Sequence, residues 1–372
     1  MSSYQEVVNG VHSGVDRFFK SNFGNIHIKG PKLDPEEIQK RPLMVVCTHR
    51  SHIDYILIGI LLHKMGFKNM RFAAGDNLTG LPVIGPWFKS LGAFTVARDN
   101  GFERNYVRNL CSDVIKMLEN KEPVIVFPEG GRSYSGATMG LKGGVLGAAI
   151  LCQARGNYDN VNLLFASISY EYPPDSPWFG LLQRGKKLMK RNNNFFKRLI
   201  GKCFYFGADI FAFLPMFFSA FTGKKFGDIY VDYKEPVSIK SVVDIESNRA
   251  SNARDEFSAH RLSMQKAGEA IYPILNSLFC ILPVHIAAAL IKGHSQVSKR
   301  QLAEKIPVLI QYLTAENMNS GVVKSVNPAK LIDAGVSQLL KVNAIAMHND
   351  IISIKKSGMI DYFAAAIGEN WR

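Results

Sequence analysis

The chain has 372 residues, 47% of them apolar and 20% charged, which excludes both a disordered tail and a small disulfide-stapled module. At roughly 100–200 residues per domain, the length predicts two domains, or one large core with an added lobe. The net charge of +14, from 45 Lys and Arg against 31 Asp and Glu, suits an anionic partner: nucleic acid, acidic lipid, an acidic carrier protein or a phosphorylated substrate.

The chain opens Met1-Ser2-Ser3-Tyr4 without an apolar signal core, and its five cysteines form no CxxC pair and no zinc spacing. Both features predict a reducing, cytoplasmic exposure. Residues 43–47 form a short apolar run that reads as a buried strand. Residues 53–64 read as a helix and 70–74 as a second strand. A Gly- and Pro-rich connection from Gly75 to Gly85 precedes a strand at 93–97. Residues 103–119 have helical periodicity, with Val107, Leu110, Val114, Ile115 and Leu118 on one side. A strand follows at 124–127, a helix at 141–155 and a strand at 161–169. Strands alternating with helices predict an α/β fold with a central sheet.

The composition shifts at Arg184. Eight basic and no acidic residues lie between Arg184 and Lys202, followed by an aromatic-rich apolar run over 203–218 that Asp209 and Pro215 interrupt. A bilayer span needs about 20 continuous apolar residues, so 184–221 reads as a monotopic contact with anionic lipid. The bland alternative is buried core beside a solvated basic face. Residues 226–239 read as a closing strand pair around Gly227. Beyond about 241 the pattern is helical, with candidate helices at 275–290, 301–313, 328–343 and 359–369. The histidines of this lobe, His260, His285, His294 and His348, are scattered and read as structural or surface groups. No metal cluster or cofactor loop is apparent.

Three blocks at strand ends carry chemistry. His49-Arg50-Ser51-His52-Ile53-Asp54 follows the first strand and opens a helix, where polar residues of an α/β fold meet ligands. A histidine whose tautomer is fixed by a carboxylate makes a general base. A separation of five brings His49 to Asp54 only if the histidine sits in the turn before the helix. His52 competes for the role, and Asp54 also suits the helix's N-terminal amides. The second block, Gly92 to Asp99, ends in Arg98, suited to a phosphate. In the third, Phe127-Pro128-Glu129-Gly130-Gly131-Arg132-Ser133, the glycines permit close backbone approach and Arg132 adds a cation. Glu129 suits an acceptor hydroxyl, or orients Arg132. The absence of GxxxxGK[ST] and of a dinucleotide fingerprint argues against a kinase or nicotinamide enzyme.

Taken together, these blocks resemble the glycerol-3-phosphate acyltransferase family within the HxxxxD glycerolipid acyltransferases. His49 to Asp54 resembles the first family block, Gly92 to Arg98 the second, Phe127 to Ser133 the third, Ile168-Ser169-Tyr170-Glu171 the fourth, and Gly227 to Pro236 a closing strand. The resemblance covers residues 40–240 well and the rest weakly. It implies a mixed central sheet with flanking helices and a C-terminal helical lobe: an N-terminal helical segment 1–40, a catalytic domain 41–240 containing the membrane-contact segment 184–221, and a helical domain 241–372. It implies that His49 is the base and Asp54 its partner, and that Arg98 and Arg132 hold the acceptor's phosphate. Glu129, Gly130, Gly131 and Ser133 are the remaining expected substrate-binding residues, with no metal or cofactor.

The activity implied is acyl transfer from acyl-CoA or acyl-carrier protein to the 1-hydroxyl of glycerol 3-phosphate, giving lysophosphatidate. The enzyme would lie peripherally or monotopically on the cytoplasmic face of the inner membrane, with no nucleic-acid partner. Two positions depart from the family pattern. Ala97 precedes a single Arg98, and Tyr134 follows Ser133 where the family carries a further arginine; Lys142 is a candidate compensating cation. The departures keep other acceptors open, such as a lysophospholipid or dihydroxyacetone phosphate. A non-catalytic membrane-binding module is the third reading. The long N-terminal extension of the larger family members is absent from this sequence.

Overall fold

The protein is described from a computed structural model that covers residues 16–80, 84–96, 104–141, 143–156, 159–176 and 226–371. Arg98, Lys142 and the whole basic–apolar segment 184–221 lie outside the described residues. The central sheet has the order β1-β7-β6-β2-β5-β3-β4, with β8 beside β6. Its strands are β1 (Ile26–Lys29), β2 (Leu43–Cys47), β3 (Arg71–Gly75), β4 (Ala93–Val96), β5 (Val124–Val126), β6 (Asn162–Tyr170), β7 (Ile229–Tyr233) and β8 (Val237–Ser238). From β6 across β2 to β4 the neighbours run parallel; β7 and β8 are antiparallel to β6, so the sheet is mixed.

β2 is buried along its whole length, as a strand covered on both faces must be. Its odd-numbered side chains, Leu43, Val45 and Cys47, join a core with α1 (Asp54–Met65). Met44 and Val46 join the opposite core with α2 (Arg104–Glu119), α3 (Gly143–Ala154) and α4 (Arg261–Leu278). The chain therefore leaves β2 and its neighbour β5 at the same sheet edge. Beyond the sheet, α5 (Pro283–Ile291), α6 (Lys299–Ala315), α7 (Pro328–Lys341) and α8 (Ser357–Ala364) enclose a third core. Among the described residues no helix is long and apolar enough to cross a membrane.

The structure departs from the sequence expectations at four places. Residues 26–29, expected in a helical segment, form edge strand β1, parallel to β7. Its outer residue Ile28 is 49% exposed, so backbone pairing rather than an apolar pattern holds it. The boundary at 240 cuts through a core: Met264, Ala267, Ile271, Leu275 and Leu278 of α4 pack with Ile239, Val243 and α3. The expected helix 275–290 is two helices, α4 and α5, with an extended corner at 279–282. Pro283 causes the break. It lacks an N–H and disfavours a helical residue before it, and it starts α5 well. Finally, the C-terminal lobe is not all helical. β9 (Gln296–Ser298), β10 (Ile345–His348) and β11 (Ile351–Ile354) form a small antiparallel sheet.

Candidate active site

The site is built at the carboxyl ends of β2, β5 and β6. Just past β2 the Thr48 N–H donates to the Ala166 carbonyl, and the Thr48 hydroxyl accepts from the Ile168 N–H. The turn thereby fixed projects His49 beyond the sheet. Asp54 opens α1, and its carboxylate collects four donors. Oδ2 accepts from the N–H of Arg50 at 2.6 Å, the N–H of Ser51 at 2.8 Å and the ring of His49, whose Nδ1 lies 2.9 Å away. Oδ1 accepts from the Tyr170 hydroxyl at 2.6 Å. The separation of five therefore works because His49 precedes the helix. Asp54 both satisfies two amides of the turn before the helix, those of Arg50 and Ser51, and holds the imidazole. His52 is buried and is not the partner of Asp54.

With Nδ1–H given to Asp54, the other ring nitrogen, Nε2, is the proton acceptor of a neutral imidazole. The His49 side chain keeps 15% exposure while Asp54 has none. The ring is also stacked on Phe127, with centroids 4.4 Å apart. A buried carboxylate with charge-assisted donors, next to a partly open imidazole, is the arrangement a general base requires.

The third block wraps around the first. Glu129 is buried; its Oε1 accepts from the His49 N–H at 3.0 Å and its Oε2 from the Met139 N–H at 2.9 Å. It therefore ties two loops together, and among the described residues the Arg50 guanidinium lies 3.9 Å from it. The expected link from Glu129 to Arg132 is not made. Arg132 is buried and forms an ion pair with Asp175, and it donates to the Tyr134 hydroxyl at 3.1 Å. Ser133 is buried too: its N–H donates to the His49 carbonyl and its hydroxyl to the Ala137 carbonyl. The Gly130 N–H donates to the Phe127 carbonyl within the turn, with Gly130 at φ +66°, so it is not a waiting oxyanion donor. Gly131 has no such bond among the described residues, and its Cα faces open space. Arg98, expected to hold a phosphate, lies outside the described residues.

Three residues beyond the expected set organise the site. Arg50 is buried, donating to the Ala137 carbonyl at 2.9 Å and to the Thr138 hydroxyl at 2.9 Å. Its guanidinium lies 4.7 Å over the Phe279 ring, at the corner between α4 and α5. Thr138 in turn donates to Asn276 at 3.3 Å, so the third block is held from the C-terminal side as well. Asp175 is the partner of Arg132, and Tyr170 is the partner of Asp54. Tyr170 was legible in principle: alternation along β6 puts Ala166, Ile168 and Tyr170 on the α1 face. Asp175 lies past the strand and carried no signal.

Residues 27–161 match the acyltransferase family model, and residues 214–361 match the model of the glycerol-3-phosphate acyltransferase C-terminal region. The chain is similar to the glycerol-3-phosphate acyltransferase of Actinobacillus pleuropneumoniae serotype 5b (strain L20), 24% identical over 331 residues, 89% of this chain and 36% of that protein. It is also similar to the glycerol-3-phosphate acyltransferase of Glaesserella parasuis serovar 5 (strain SH0165), 28% identical over 202 residues, 54% of this chain and 22% of that protein. The chain thus spans about a third or less of the length of these curated relatives. Among solved structures, the 1-acyl-sn-glycerophosphate (LPA) acyltransferase PlsC from Thermotoga maritima aligns with a TM-score of 0.36 and 18% identity, over 73% of this chain and 83% of that chain.

Proposed function

Because the chain belongs to the glycerol-3-phosphate acyltransferase family, we propose that it moves a fatty acyl group from acyl-CoA or acyl-carrier protein to the 1-hydroxyl of glycerol 3-phosphate, giving lysophosphatidate. The observation that carries this reading is the His49–Asp54 pair, with Nδ1 committed to the carboxylate at 2.9 Å. His49 Nε2 takes the hydroxyl proton as the oxygen attacks the thioester carbonyl. The charge that develops on the carbonyl oxygen needs a fixed donor, and the Gly131 N–H is the candidate. Collapse of the tetrahedral species breaks the C–S bond. The imidazolium returns its proton to the departing thiolate, so the products are an ester and a free thiol. Ser51 and Ser133 are both buried, which fits direct transfer without a serine ester.

The acceptor's phosphate would be met by Arg98 and by Arg132, the latter once it exchanges Asp175 for the ligand. Where the family carries a further arginine, Tyr134 instead accepts from Arg132 and lies under it, with its ring 5.1 Å from the guanidinium. That observation favours a second reading, in which the acceptor differs: a lysophospholipid or dihydroxyacetone phosphate. In either case the basic segment 184–221 would dock the enzyme on anionic lipid at the cytoplasmic face of the inner membrane.

The test is incubation of the purified protein with labelled glycerol 3-phosphate and each donor class, beside a panel of other acceptors, with His49→Ala as the control. Lysophosphatidate formation that depends on His49 supports the first reading. Acylation of a different acceptor only would replace it with the second.

A further inference from the structure

We infer that Tyr170 is a positioning residue of the His49–Asp54 pair: its hydroxyl fixes the Asp54 carboxylate, and through it the imidazole. The inference rests on the proposed acyl transfer for its kinetic readout.

The division of donors around Asp54 carries the argument. Three of them, the backbone N–H groups of Arg50 and Ser51 and the His49 ring, converge on Oδ2. Oδ1 has, among the described residues, Tyr170 alone, at 2.6 Å. The carboxylate is fully buried, so no solvent replaces a lost donor. Terminal torsions of this kind have broad wells, so donors on one oxygen leave the carboxylate plane loosely set. A short bond to the second oxygen pins it. Burial, with the Asp54 charge beside it, pushes the Tyr170 phenol well above its usual range, so the group stays protonated and donates.

The ring that carries this hydroxyl is itself held. Tyr170 lies at the end of β6, beside β2, on the face shared with α1. Its ring packs against Phe23, centroids 6.2 Å apart, and Phe23 packs against Phe226 at 5.6 Å and Phe19 at 5.8 Å. An aromatic cluster drawn from the N-terminal segment and from Phe226, just before β7, thus seats the tyrosine that seats the aspartate. Nothing in the proposed chemistry needs Tyr170 to touch a substrate. Its effect therefore runs through Asp54, and that dependence is measurable.

The experiment is a double-mutant cycle on the full chain: wild type, Tyr170→Phe, Asp54→Asn and the double variant. Acyl-transfer kcat, acceptor KM and melting temperature are measured for each. Tyr170→Phe is expected to lower kcat about tenfold to a hundredfold, the scale of one charge-assisted hydrogen bond, with KM within about twofold. In the Asp54→Asn background the same change is expected to cost nothing further. Undiminished kcat in a folded Tyr170→Phe protein, or losses that multiply in the double variant, would overturn the inference. If Tyr170→Phe does not fold, Phe23→Leu, which keeps the hydroxyl but loosens its seat, is run through the same cycle with the same criteria. If wild type acylates no acceptor at all, it is the proposed function that fails. The cycle is then read on the low-field proton resonance of the His49 ring N–H, which must move in Tyr170→Phe for the inference to stand.

Discussion

At the scale of single residues, charge and burial assign the work. Asp54 is fully buried and His49 is 15% exposed, so one holds and the other reacts. His49→Gln is expected to lower kcat by about 10²–10⁴, the range of a lost general base, with the melting temperature little changed, because the ring is not a core group. Steady-state kinetics beside a thermal melt check both parts. Glu129 shows how a residue type is readable when its role is not. A carboxylate before two glycines suggested contact with substrate or with Arg132. The structure gives it two backbone N–H groups instead, from His49 and Met139, across separations no local pattern reports. Arg132 is similar: its family role implied an open cation, but it is buried against Asp175.

At the scale of elements, the corner between α4 and α5 connects the lobe to the site. Gly136 stands in the left-handed region at φ +87°, and a Cβ there would lie 1.8 Å from the Tyr362 carbonyl of α8. Gly136→Ala is therefore expected to cost at least about 2 kcal/mol of stability, because strain and steric overlap add. Urea titration against wild type checks it, and a loss of activity should accompany it as the 132–139 loop lifts. At the start of α5, His285 is buried and its Nδ1 accepts from the Leu282 N–H at 3.1 Å. Burial, helped by the nearby Arg50 charge, holds it down from the usual 6.5 to about 3. The unfolded chain thus binds a proton that the native lobe refuses. Above about pH 6.5 His285 carries no penalty, and from there towards about pH 3 stability falls by up to about 1.4 kcal/mol per pH unit. Denaturation midpoints measured from pH 7 to pH 4 should show that slope flattened in His285→Gln.

At the scale of the molecule, the third block is clasped from both sides. On the sheet side, Asp175, just past β6, holds Arg132 of the third block and Tyr170 of β6 holds Asp54 of the first; on the C-terminal side, Asn276 and Tyr362 meet the loop after the third block and Phe279 lies under Arg50 of the first. The division at residue 240 is thus one of sequence pattern, not of packing. The net charge of +14 has a local source in the eight cations between Arg184 and Lys202. Replacing Lys186, Lys187, Lys190 and Arg191 by glutamine is expected to weaken partitioning onto anionic vesicles by about 1 kcal/mol per charge. Sedimentation across a salt series reads this, and retained binding at high salt would assign it to the apolar run at 203–218.

The sequence by itself determined what is local. Buried strands announce themselves as apolar runs, so β2, β5 and β6 were placed within a residue or two. The His49–Asp54 pair was legible in part: the spacing allowed it if His49 sat in the turn before the helix but left His52 open, and the family resemblance pointed to His49. Edge strand β1 and the small sheet of the lobe were not, because their pairing is backbone-led and their apolar patterns are short. Only the tertiary structure decided which blocks meet. Strand order puts β5 beside β2, so Glu129 reaches His49 across 80 residues, and β6 on the other side, so Tyr170 reaches Asp54 across 116. Those contacts depend on the order in which strands join the sheet, and no spacing along the chain encodes that order.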